Sequence, residues 1–225
     1  MLGDSPIALI IIGAGWHGKE LYSYILDLQA QGAKISFYGF IDEYKPPGPW
    51  GPTQVLGDFQ ALAALARKRP DIRFHYITAT GDNRIRQQFV RKVEGLGLEN
   101  VVPWTLRHPD TQVGLDVAIG EGTCVAPGVI ITTHVRVGRH CILNVKVSVS
   151  HDCEIGDFVN LNPGVTVCGN VRIGEGCYIG AGATIIDKVT IGEWTTIGAG
   201  AVVIDDIPSR VTAVGVPARV IKEMK

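Results

Sequence analysis

From Val113 to Val203 every sixth residue is aliphatic, without a miss over sixteen positions: Val113, Ile119, Val125, Ile131 and so on to Ile197 and Val203. The chain is 46% hydrophobic, so an unbroken run of that length in one register is not a chance outcome. A period of six fits neither an α-helix nor a half-buried strand. It fits a β-helix of hexapeptides, in which each hexad forms one flat side of a three-sided coil. The fourth residue after each aliphatic position is small or β-branched throughout (Val117, Thr123, Val129, Val135, Cys141 and onward to Ile207). A narrow prism has room for one large and one small inward side chain per side, with alternate residues facing out. The residue directly after the aliphatic position is Gly or Asn in ten of the sixteen hexads, which points to a tight corner with a left-handed backbone. Three hexads close one coil, so residues eighteen apart stack. That ruler places Asp152 over His134, Asn162 over Asn144, and Gly169 over His151.

Residues 1–107 carry a different pattern. An apolar run, Ile7–Ile12, leads into Gly13-Ala14-Gly15-Trp16-His17-Gly18, and a helical stretch follows over about 18–30. A second apolar strand ends Gly39-Phe40-Ile41-Asp42, and a Pro/Gly loop runs from Lys45 to Pro52. A helix is expected from Asp58 to Arg69, a strand near Phe74–Ala79, and a third helix from Asn83 with Asp82 as its cap. This alternation predicts a small parallel α/β domain. The fold class expected for the whole chain is therefore a Rossmann-like α/β domain, 1–107, followed by an all-β parallel β-helix with a C-terminal cap, 108–225.

Gly13-x-Gly15-x-x-Gly18 is the dinucleotide-type fingerprint, and Asp42 lies where a ribose-binding acid belongs. A Gly-rich turn opening a helix offers backbone N–H groups to phosphate. A domain of about 100 residues is short for a full dinucleotide fold, whereas a nucleotide sugar carries one diphosphate and one ribose. Formal net charge is −1 and charged residues are 19%, with no basic patch for nucleic acid. Ile7–Ile12 is too short for a membrane span or a signal-peptide core, so a cytoplasmic chain without a membrane partner is expected. The five cysteines lack metal-type spacing, and Cys141, Cys153 and Cys177 occupy small inward slots, so no metal is expected.

Taken together, the two halves resemble the sugar O-/N-acyltransferases of the sialic acid O-acetyltransferase and UDP-N-acetylbacillosamine N-acetyltransferase type. The resemblance covers nearly the whole chain. It rests on Ile12–Lys19, Gly39–Asp42, Gly81-Asp82-Asn83-Arg84-Ile85-Arg86, Val149–Phe158, and the tail from Asp206-Ile207-Pro208 through Val214-Gly215-Val216-Pro217-Ala218-Arg219. It implies a left-handed β-helix, a homotrimer with active sites between protomers, and acetyl-CoA as co-substrate. The implied acceptor is a nucleotide-linked amino sugar of the 4-amino-4,6-dideoxy class, feeding lipopolysaccharide-type glycan synthesis. The alternative is O-acetylation of a sialic acid-type sugar.

The resemblance also implies roles. His151 is the expected general base and Asp152 its companion acid. Gly13, Gly15, Trp16, His17, Asp42, Asn144 and Asn160 fall at substrate positions. Gly169, Ala181 and Ala199 fall where backbone amides meet the thioester and pantetheine arm. Two residues depart from the pattern: Trp16 replaces a residue that is usually small, and Asn160 stands where some relatives carry a second histidine. A neutral imidazole suits proton removal from an attacking amine near pH 7. Neighbouring side chains on a strand diverge, so Asp152 points to His134 as readily as to His151. Cys153 sits beside this pair but in an inward slot, which favours direct transfer over an acetyl-enzyme.

Overall fold

The computed structural model describes residues 6–223. The chain divides into two compact units between Trp104 and Thr105.

The first unit is a six-stranded sheet with three helices. Its elements are β1 (Ile7–Ile12), α1 (Trp16–Ala30), β2 (Ile35–Ile41), β3 (Gly48–Trp50), β4 (Thr53–Gly57), α2 (Phe59–Lys68), β5 (Phe74–Thr78), α3 (Asn83–Glu94) and β6 (Val101–Pro103). The strand order is β3-β4-β2-β1-β5-β6, parallel except for the β3–β4 hairpin. The continuous apolar run of β1 reflects a central strand covered on both faces. Ala8, Ile10 and Ile12 share a buried cluster with α2 and α3, while Tyr22 of α1 packs on Phe37 and Phe40. Asp58 and Asp82 cap α2 and α3 by accepting two backbone N–H bonds each. The Pro-rich stretch expected as a loop instead contains β3, because Pro49 sits on an edge strand where its missing donor costs nothing. The chain passes from β2 on one side of β1 to β5 on the other. That reversal leaves a crevice outside the carboxyl ends of β1, β2 and β5.

The second unit is a left-handed parallel β-helix. Its coil begins at Leu106–Arg107, which pairs with Cys124–Val125, so the boundary drawn at 107 falls inside the first coil. Three sheets form its faces. The first runs through Cys124–Val125, Ile142–Leu143, Asn160–Leu161, Tyr178–Ile179 and Thr196–Ile197. The second runs from Gln112–Val113 through Ser148–Val149 to Val202–Val203. The third runs from Ala118–Ile119 through Glu154–Ile155 to Thr190–Ile191. Residues eighteen apart pair in register, such as Ser148 with Thr166. The large and small inward positions fill one continuous core. The C-terminal strand Arg219–Glu223 folds back antiparallel on Val211–Val214.

The corners correct one expectation. The left-handed residue is not the one after the aliphatic position but two places later. Fifteen such residues, from Asp116 to Gly200, have φ between 51° and 74°, and nine of them are not glycine. Each side-chain-bearing corner costs about 1–2 kcal/mol of backbone strain. That cost is offset by an N–H that donates to the preceding coil, as Asp152 does to Thr133. The glycines after the aliphatic residue serve close stacking instead. A Cβ on Gly156 would stand 2.7 Å from the Glu175 nitrogen, and one on Gly174 2.5 Å from that of Glu193.

Candidate active site

His151 and Asp152 occupy the corner between the second and third faces. The corner is pinned from both sides: Asp152 N–H donates to Thr133 O at 3.1 Å, and Asn170 N–H donates to His151 O at 2.9 Å. Asp152 has φ +59°. These residues form a turn, not a strand, so their side chains converge: His151 Nδ1 lies 2.8 Å from Asp152 Oδ2. The alternative partner, His134, is taken by Asp116 at 3.0 Å. An ionised carboxylate only accepts, so Nδ1 carries the proton and Nε2 keeps its lone pair. Both side chains are open to solvent, His151 at 57% and Asp152 at 51%.

Gly169 stacks one coil on. A Cβ there would lie 2.7 Å from His151 Cε1 and 2.8 Å from Nε2, so the imidazole rests in the space that the glycine leaves. The Gly169 N–H has no hydrogen-bond partner among the described residues, while its carbonyl accepts from Lys188. A base nitrogen and an open amide donor therefore share one corner, an arrangement that suits acyl transfer. Cys153 is fully buried, its Sγ 3.1 Å from Cys168 O, and burial pushes its thiol pKa up. It stays protonated and out of reach as a nucleophile.

The first unit holds a second constellation. Gly13 has φ +109°, and a Cβ there would meet Ala79 O at 2.7 Å; Gly18 lies against Gly13 and Phe40. Packing within the protein requires both. Gly15 is different: a Cβ there would meet nothing within 4 Å. No side chain caps α1, and the N–H groups of Gly15, Trp16, His17 and Gly18 have no partner among the described residues. Such an open helix N-terminus is a ready anion site. Asp42 holds the turn, with Oδ2 accepting from Ala14 N–H at 2.7 Å and Oδ1 from Tyr44 and Lys45 N–H at 2.9 and 3.0 Å. His17 Nδ1 meets Glu20 Oε2 at 3.0 Å, and Tyr24 OH donates to Glu20 Oε1 at 2.8 Å. The His17 hydrogen bond holds the Glu20 carboxyl below its usual pKa, against the opposing effect of burial. His17 Nε2 and Thr78 Oγ1 are buried without hydrogen-bond partners among the described residues, near the carboxyl ends of β1 and β5.

A profile described as PglD N-terminal domain matches residues 8–93, and one described as bacterial transferase hexapeptide (six repeats) matches 170–205. The GDP-perosamine N-acetyltransferase of Escherichia coli O157:H7 is 35% identical over 148 residues, covering 64% of this chain and 62% of its own. The UDP-N-acetylbacillosamine N-acetyltransferase of Bacillus subtilis (strain 168) is 37% identical over 115 residues, covering 51% and 49%. These matches span less than two thirds of either curated relative. Among solved structures, a mutant of perosamine N-acetyltransferase from Caulobacter crescentus, in complex with CoA and GDP-perosamine, is 33% identical with a TM-score of 0.83 and covers 99% of both chains. The acetyltransferase domain of PglB from Neisseria gonorrhoeae FA1090 is 33% identical with a TM-score of 0.81, covering 95% of this chain and 99% of its own. The chain belongs to the hexapeptide-repeat sugar acyltransferases.

Within one chain, the residues singled out from the sequence fall into separate groups. His151, Asp152 and Gly169 share one corner. Asn144, Ala181 and Ala199 lie on the corner at the other edge of the second face. Asn144 Oδ1 accepts from Val145 N–H at 2.7 Å, and the amides of Ala181 and Ala199 have no partner among the described residues. Asn160 is buried on the first face between Ile142 and Tyr178, with 2% of its surface exposed. Gly13, Gly15, Trp16, His17 and Asp42 gather at the start of α1. Sequence reasoning missed Glu20 and Tyr24. Their spacing of three and seven residues from His17 on an expected helix was a usable signal.

Proposed function

We propose that this chain is an acetyl-CoA-dependent N-acetyltransferase acting on a nucleotide-linked 4-amino-4,6-dideoxy sugar, with His151 as general base. The observation that carries the reading is the His151 imidazole, fixed through Nδ1 by Asp152 and resting its Nε2 edge on Gly169. The acceptor amine attacks the thioester carbonyl while Nε2 takes its proton. Asp152 stabilises the imidazolium that forms, and the Gly169 amide faces the developing oxyanion. The imidazolium then returns the proton to the departing thiolate. A general base contributes roughly 10²–10⁴-fold. The acceptor class is supported by the names of the relatives, which act on GDP-perosamine and UDP-N-acetylbacillosamine. In the first unit, the uncapped start of α1 holds the nucleotide.

Three copies complete the site in this reading. Apart from Gln112 in its first strand, the outward strand residues of the second face, Ile130, Ser148, Thr166, Thr184 and Val202, are small or apolar, whereas the third face presents Arg136, Glu154 and Arg172. A homotrimer with second faces turned inward sets the His151 corner of one copy beside the Asn144–Ala181–Ala199 corner of its neighbour. Acetyl-CoA then lies between the two corners. The product serves lipopolysaccharide-type glycan assembly in the cytoplasm. No helix among the described residues is long and apolar enough to cross a membrane.

The test is CoA release with acetyl-CoA and UDP-, GDP- or dTDP-linked 4-amino sugars, with sialic acid alongside. Turnover with one nucleotide amino sugar is expected. Turnover with sialic acid alone would replace the amine acceptor by a hydroxyl.

A further inference from the structure

The β3–β4 hairpin, the loop before it and the start of α1 bring Trp16 together with three side chains that the chemistry above does not use, Lys19, Lys45 and Trp50. Lys19 Nζ lies 4.9 Å from the ring centroid of Trp16 and 4.7 Å from that of Trp50, and Lys45 Nζ lies 5.0 Å from Trp50. Neither lysine has a carboxylate partner among the described residues, whereas Lys92 nearby in sequence to α3's end is paired with Glu43 at 2.6 Å. Trp16 leaves 86% of its surface in water. Packing therefore does not hold it there, and an exposed cation–π contact is worth only about 0.5–1 kcal/mol. The indole Nε1 of Trp50 is buried and has no acceptor among the described residues. Asp42 ties the two walls together, one carboxylate oxygen on Ala14 N–H of the Gly-rich turn and the other on Lys45 N–H of the loop leading to the hairpin. Beside this cluster are the four open N–H groups of the turn and the unfilled space at Gly15.

Two uncompensated ammonium groups, two aromatic faces and an open helix N-terminus match one chemical class: a flat ring joined to a diphosphate. We infer that Trp16, Lys19, Lys45 and Trp50 form the platform that grips the nucleoside diphosphate portion of the substrate. This inference rests on the acceptor being nucleotide-linked. The turn amides and the two ammonium groups take the phosphates, whose charge-assisted bonds replace the weaker contacts with the indoles. The indole faces released by the lysines stack on the base. Stacking reads the ring and not its edge, so the platform supplies affinity and leaves base identity to other groups.

Calorimetric titration of the full chain with UDP and GDP, and with uridine and guanosine, separates these roles. Trp50→Ala should weaken nucleoside and nucleoside diphosphate alike, by roughly five- to a hundredfold. Trp50→Phe, which keeps a ring, should retain most of the affinity. The double variant Lys19→Met/Lys45→Met should weaken the diphosphates by about tenfold or more, flatten their salt dependence, and leave the nucleosides within about twofold. Lys19 is exposed and Lys45 half-buried, so this variant decides the matter should Trp50→Ala fail to fold. Acetyl-CoA binding by each variant controls for integrity of the β-helix. If the wild type binds a nucleoside diphosphate and no variant weakens it, the platform is wrong and the proposed acetyl transfer stands. If the wild type binds acetyl-CoA but no nucleoside diphosphate, the nucleotide-linked acceptor falls, and the platform with it.

Discussion

The α/β unit and the β-helix each hold a histidine by Nδ1 against a carboxylate, His17 on Glu20 and His151 on Asp152, at 3.0 and 2.8 Å. The difference lies at Nε2. In the α/β unit the ring is mostly covered, with 18% of the His17 side chain exposed, and Glu20 is itself held by Tyr24. His17 Nε2 is buried and fixed in place, which suits gripping a ligand group. In the β-helix the pair stands open on a corner, and Nε2 meets only the space over Gly169. In the proposed reaction that nitrogen takes up the proton of the attacking amine. The same hydrogen bond sets the tautomer in both places, and burial decides whether the free nitrogen binds or reacts.

The largest effect expected from breaking this contrast is at His151. His151→Ala should lower kcat by roughly a hundred- to ten-thousandfold while the thermal midpoint stays near that of the wild type, since the side chain is exposed. Asp152→Asn keeps the shape but can present N–H to Nδ1, which moves the imidazole proton to Nε2. Turnover should fall by roughly tenfold or more. A His151→Ala enzyme with wild-type kcat would remove the base.

Gly169→Ala comes next. The added methyl would stand within 2.8 Å of the imidazole, and the ring must swing aside. A base displaced by about an ångström should cost roughly ten- to a hundredfold in kcat. Acetyl-CoA affinity measured by titration should change less than kcat does. Equal losses in both would mean that Gly169 serves only the co-substrate.

Much of this was legible in the chain. The six-residue period could be read because each side of the coil has room for one large aliphatic and one small inward side chain, stacked between the same positions of the coils above and below. The corners could be located but not explained: the glycines at 156 and 174 look like left-handed residues until the next coil's backbone is placed against them. The His151–Asp152 contact was hidden because two adjacent residues diverge on a strand and converge in a turn with positive φ. The β3–β4 hairpin was hidden by its prolines, which a central strand excludes and an edge strand tolerates. In the proposed trimer a neighbouring copy closes the separation of Asn144, Ala181 and Ala199 from His151, and the period of one chain does not contain that.

In the α/β unit, Glu20→Gln should raise the KM for the nucleotide sugar by about three- to tenfold and leave kcat unchanged if His17 holds a ligand group as proposed, because it loosens that histidine. It also gives a pH signature. The folded-state pKa of Glu20 is lowered from its usual 4.5, chiefly by His17. A depressed carboxylate adds stability above its unfolded pKa and loses it as pH falls through the folded value. The stability gap between wild type and Glu20→Gln, read from urea midpoints, should be open at pH 7 and close as the pH drops below 4.5. A gap independent of pH would assign the loss to packing.

The smallest effect is expected one coil below the active corner, where His134 and Asp116 repeat the same pairing. His134 Nδ1 lies 3.0 Å from Asp116 Oδ2, and the two side chains are 54% and 50% exposed, close to the values at His151 and Asp152. Distance and exposure therefore do not distinguish the pairs. Two other features do. Asp116 is claimed by Arg136, whose Nη2 lies 2.9 Å from both carboxylate oxygens, and this guanidinium is the main cause of its lowered pKa. A carboxylate already neutralised by arginine gives less support to an imidazolium. The residue one coil above His134 is also Asp152, with a side chain, where His151 has Gly169. His134→Ala and Asp116→Asn should therefore leave kcat within about twofold, since a surface pair of this kind is worth little. Should His134→Ala instead lose turnover on the scale of His151→Ala, the glycine above the ring would not be what makes a corner histidine a base.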